Sequence, residues 1–94
     1  MIRITLRQDG TIEAAGHAGL APAGQDMVCA AVSAVVNVTA EYLRSTDNLA
    51  QMELGPGYAR LVPREMCPMV RSAGNCLQDL ARQYAGIVAV DRET

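Results

Sequence analysis

The chain has 94 residues, 50% hydrophobic and 19% charged, which sets it among globular rather than disordered proteins and leaves room for a single domain over 1–94. Its eight basic residues are all arginine, scattered from Arg3 to Arg92 under a formal net charge of −2, so direct nucleic-acid binding, which needs a basic patch, is disfavoured. The three aromatics are all tyrosine, and a core drawn from Val, Ile, Leu, Met and Ala is thin enough that oligomerisation would help it.

Ile2, Ile4 and Leu6 alternate with Arg3, Thr5 and Arg7, the period of a strand over about Ile2 to Arg7 and not of an export peptide. Gln8-Asp9-Gly10 reads as a tight hairpin turn. A second strand, about Thr11 to Gly16, then delivers His17 at its end. The segment Ala18 to Gln25 holds two glycines and a proline and reads as a mobile connection. Asp26 is a good N-cap for a helix over about Met27 to Arg44. Its apolar positions include Val28, Val32, Val35, Val36, Tyr42 and Leu43, and no charge falls between Asp26 and Glu41. A helix apolar on most sides is buried on more than one, and one of those sides can belong to a second subunit.

Ser45 to Asn48 breaks that helix. A second hairpin follows, Leu49 to Leu54 and Tyr58 to Val62 around Gly55-Pro56-Gly57. A second long helix is expected from Pro68 to Gly86, since proline is tolerated at a first turn. Its stripe is Met69, Val70, Ala73, Leu77, Leu80, Ala81 and Tyr84. Ile87 to Val90 leaves room for a short last strand. The fold class is α+β: two β-β-α halves, antiparallel strands packed with two long helices. The five methionines read as gap-fillers, with Met27 beside the loop able to serve both purposes. The longest apolar run, Met27 to Val32, is far below the ~18 residues of a membrane span. Three cysteines, an odd count, suit a reducing cytoplasm.

His17 is the only histidine, so chemistry that needs an imidazole has one candidate. Cys29 stands at the third position of the first helix. The amides of a first turn carry partial positive charge; they favour a thiolate, the nucleophilic form, and can hold a developing oxyanion. Asp26 works against ionisation unless its carboxylate is occupied by amide hydrogen bonds. Alternatively it turns to His17 and orients the ring, as the third member of a triad does. Ser33, four residues beyond Cys29, lies on the same helix face and could bond substrate backbone, the Cys29 carbonyl or its own helix. Each of these residues also has a plain structural reading: a small apolar thiol, a surface imidazole, a cap. Cys67 and Cys76 have no metal-ligand spacing with each other or with His17, so no metal or other cofactor is expected, and both read as structural.

Taken together, Gly16-His17-Ala18 and Gly24-Gln25-Asp26-Met27-Val28-Cys29-Ala30-Ala31-Val32-Ser33 resemble the signature of the ribosomal-processing cysteine protease family, Prp. The resemblance spans the chain, including its length, its two halves and the Gln83-Tyr84 end of the last helix. It implies a cysteine endopeptidase with His17 as general base and Cys29 as nucleophile. Asp26 and Ser33 match its other signature positions, and Gly16 is its glycine beside the histidine. It further implies that a short N-terminal extension is removed from large-subunit ribosomal protein twenty-seven after a pair of aromatic residues, supporting ribosome assembly. A hydrophobic cleft beside Cys29, a loop containing Ala18, Gly19, Gly24 and Gln25 that orders over the peptide, and a homodimer are implied with it. Gln25-Asp26-Met27 departs from the smaller or β-branched neighbours often found there. Two other readings stand beside it: a non-catalytic peptide- or ribosome-binding module, and a redox sensor joining Cys29 to Cys67 or Cys76.

Overall fold

The computed structural model describes residues 1–16 and 27–93. Their elements are β1 (Ile2–Leu6), β2 (Ile12–Gly16), α1 (Met27–Ser45), β3 (Leu49–Gly55), β4 (Tyr58–Pro63), α2 (Pro68–Gln83) and β5 (Val88–Arg92). This is the expected α+β class in two strand-strand-helix halves, closed by a fifth strand.

Local chemistry sets the first hairpin. The Thr11 amide donates to Asp9 Oδ1 at 2.9 Å, and the Gly10 amide donates to the Arg7 carbonyl at 3.1 Å. The bond from the Thr11 backbone, followed by that from its side chain, holds the Asp9 carboxyl below the usual carboxylate range. Gly10 sits at φ +96°, and a Cβ there would stand 2.8 Å from Pro63 Cγ. Conformation and space both require glycine.

The strands form one sheet in the order β3-β4-β2-β1-β5. Three neighbouring pairs are antiparallel, but β5 lies parallel to β1, with Ile2 opposite Val88 and Leu6 opposite Arg92. The antiparallel set expected from sequence is therefore a mixed sheet. Its cause is topological: α2 carries the chain from β4 to the far edge, and a helical crossover returns a strand parallel to the one it left.

Alternation decides which face is covered. Ile2, Ile4 and Leu6 of β1, Ile12 and Ala14 of β2, Leu61 of β4 and Val88 of β5 are buried. With them are buried Val28, Val32, Val36 and Leu43 of α1 and Val70, Ala73 and Leu77 of α2. Both helices thus pack on one face, while Arg3, Gln51 and Glu53 stand exposed on the other. Thr39, within the α1 stripe, satisfies its hydroxyl on the Val35 carbonyl at 2.7 Å. By length and composition alone α1 could cross a membrane, which the short Met27–Val32 run does not convey. In this fold its apolar stripe is occupied by the sheet.

Three expectations are corrected. The second helix stops at Gln83, not Gly86. Tyr84 leaves it at φ −122° and ψ 52°, and its carbonyl then accepts from Ile87 and Val88, which starts β5 one residue later than expected. The methionines are not core fillers: Met1, Met27, Met52 and Met66 are exposed and Met69 is half-buried. Tyr42 of α1 is exposed as well.

Candidate active site

Topology gathers the ends of several elements at one edge of the sheet. β3 begins opposite Pro63 and ends at Gly55, opposite Tyr58. Within that turn the Gly57 carbonyl accepts the Gly16 amide at 2.8 Å, so β2 ends at the same place. A short turn joins α1 to β3, and α1 therefore runs back along the sheet with its N-terminus, and Cys29, at this end. The opposite end of α1 is pinned by Asn48. Its Nδ2 donates to the Glu65 carbonyl at 3.0 Å and its Oδ1 accepts from the Glu65 amide at 2.9 Å.

Gly16 is fixed by its surroundings. It adopts φ +102°, and a Cβ on it would lie 2.2 Å from the Met1 carbonyl oxygen. Register causes the contact, because Ile2 pairs with Gly16. Met1 and Gly57 thus flank the residue that precedes His17. Neither carried a signal in the sequence, because both contacts depend on strand pairing that only the fold reveals.

Cys29 is the third residue of α1, half-buried and packed against the core. Ser33, one turn further on, is exposed. Four residues apart on a helix, they share a face. The first turn of α1 holds no acidic side chain, so the partial positive charge of the helix terminus is not opposed from within it. His17, Ala18, Gly19, Gly24, Gln25 and Asp26 lie outside the described residues, and with them the choice of Asp26 between capping and orienting.

The other two thiols sit elsewhere. Cys67 is the half-buried N-cap of α2 and makes no side-chain cap bond. Cys76 is exposed. Among the described residues no group of three His, Cys, Asp or Glu could hold a metal ion. What the site offers is a half-buried thiol in the first turn of a helix, at the sheet end where β2 closes before His17.

A family model described as Cysteine protease Prp matches residues 1–89, and the chain belongs to that family. Its fold is that of the essential ribosomal processing protease Prp from S. aureus. The S. aureus structure with a covalently linked product peptide matches at TM-score 0.85 and 18% identity, over 99% of this chain and 100% of that one. The same protease with a substrate peptide matches at 0.80 and 17%, over 99% and 100%. A Streptococcus mutans protein shares the fold at 0.72 and 21%, over 99% and 92%. No curated protein matches the chain in sequence.

Proposed function

We propose that this cysteine protease uses Cys29 as nucleophile and His17 as general base to remove the N-terminal extension of large-subunit ribosomal protein twenty-seven. One observation carries the reading: Cys29 lies in the first turn of α1, at the sheet end where β2 leads into His17. The imidazole takes the thiol proton as sulfur attacks the scissile carbonyl carbon, whose π electrons move to oxygen. The helix terminus stabilises that oxyanion. Collapse of the intermediate breaks the C–N bond, the amine leaves with the proton from His17, and a thioester remains. Water then attacks the thioester carbon, giving a proton to His17; the intermediate collapses with cleavage of the C–S bond, the peptide leaves as its carboxylic acid, and the proton on His17 returns to the sulfur. Ser33 and Asp26 support the pair, and the loop from Ala18 to Gln25 covers the peptide. Met27, exposed beside Cys29, provides apolar contact for an aromatic pair in the substrate. The S. aureus relative, described with substrate and covalently linked product peptides, supports this substrate class.

The enzyme acts in the cytoplasm as a homodimer. The outer side of α1 supports the second subunit: Ala30, Ala34, Val38 and Tyr42 are all exposed, an apolar surface that the sheet leaves uncovered. The direct test incubates the extended ribosomal protein with the enzyme and reads its mass. The wild type trims it, whereas Cys29→Ala and His17→Ala each lose at least about a thousandfold in rate while keeping the fold. Binding without a mass change would favour the non-catalytic module, and a Cys29→Ala variant trimming at the wild-type rate would end the proposal.

A further inference from the structure

At the opposite end of the sheet a cavity of about 300 Å³ opens between the β1–β2 hairpin, the first turns of α2 and the end of β5. Its floor is apolar, from Leu6, Ile12 and Val70, all buried. β2 starts here with Ile12 and ends at Gly16, so the cavity lies a strand's length, about 13 Å, from the end that bears Cys29.

The rim carries three arginines in a chain whose net charge is negative. Arg7 is neutralised: its Nε donates to Glu13 at 2.8 Å and a terminal nitrogen to Glu93 at 2.5 Å. Arg92 differs. Its guanidinium donates to Asn75 Oδ1 at 3.1 Å and Gln78 Oε1 at 3.4 Å, neutral acceptors that orient the charge without cancelling it. The Arg71 guanidinium makes no hydrogen bond or ion pair among the described residues; the residue's backbone amide donates to the Cys67 carbonyl at 3.1 Å. Two guanidinium charges therefore face an apolar-floored cavity with no carboxylate of their own among the described residues. The start of α2, whose N-cap Cys67 makes no side-chain bond, adds partial positive charge on the same side.

We propose that this cavity binds a carboxylate carried on a short apolar body. Guanidinium forks match a planar carboxylate in paired hydrogen bonds, and the floor takes the hydrocarbon. Glu93, also in the wall, disfavours a doubly charged head group. A free carboxylic acid and the C-terminal residue of a peptide present the same chemistry. The site stands independently of the role of Cys29.

The test is an amide chemical-shift titration of the full chain with hexanoate. Saturating shifts are expected at Gly10, Thr11, Val70 and Gly74, with hexanol and inorganic phosphate each binding at least about tenfold more weakly. Arg71→Gln, on the exposed rim, is expected to weaken hexanoate by a similar factor. Gly74→Leu is expected to abolish binding, since even a Cβ there comes within 3.3 Å of Leu6. A parallel titration with a short peptide ending in leucine, as free acid and as amide, names the source by whichever acid binds tighter. No saturation by hexanoate, equal binding of hexanol or of phosphate, or an unchanged affinity in Arg71→Gln would each overturn the site.

Discussion

Gly16 is the residue at which local conformation and the candidate site meet. Its φ of +102° and the 2.2 Å approach of the Met1 carbonyl oxygen to its Cβ position fix the end of β2, so a side chain there strains the strand end that precedes His17. Gly86 also has positive φ, +86°, but with nothing near its Cβ position. Gly86→Ala is expected to cost about 1–3 kcal/mol, the price of conformation alone. Gly16→Ala should cost more than that and lower the cleavage rate as well; urea unfolding of the two variants reads the difference, and equal midpoints would refute the steric part. In the sequence, the Gly-His pair and the Asp-x-x-Cys spacing were legible because residue type and interval carry the signal. Met1 and Gly57 were not, because the register that brings their backbones to Gly16 leaves no trace in composition.

Among the elements, hairpins and helices were readable to within a few residues because alternation and three-to-four spacing mark them directly. The parallel pairing of β5 was not. A five-residue strand alternates alike in either direction, and its partner is chosen by the crossover of α2. The end of α2 was overestimated because the apolar stripe continues to Tyr84, whereas the chain turns there and bonds back to the Tyr84 carbonyl. The first hairpin makes a pH-dependent prediction. Asp9 is held below its ordinary range by Thr11, so its carboxylate contributes stability above the unfolded-state value, and that contribution is lost as pH falls through the folded value. Asp9→Asn should therefore be less stable than wild type near neutral pH, with the gap closing as pH falls below the ordinary carboxylate range. Urea midpoints at both ends check it, and a gap that widens in acid would contradict it.

For the whole molecule, a core without aromatic side chains among the described residues leaves much of a 94-residue chain's apolar surface on its exterior. On α1 that surface includes Val38, 60% exposed, and Tyr42, 44% exposed. If two copies meet there, Val38→Glu places an unpaired charge in the contact and should yield a monomer by sedimentation, with the helical signal kept; a wild-type chain that sediments as a monomer would refute the dimer. The excess of apolar residues on α1 was legible in sequence, but the face left uncovered was set by how the helix seats on the sheet. The function rests on one sulfur, and peptide-mapped alkylation at neutral pH tests it most directly, with Cys67 and Cys76 as internal controls. Cleavage activity is expected to fall in proportion to label on Cys29 alone, and Cys29 should label more slowly in His17→Ala. Full activity with Cys29 completely labelled would contradict the account.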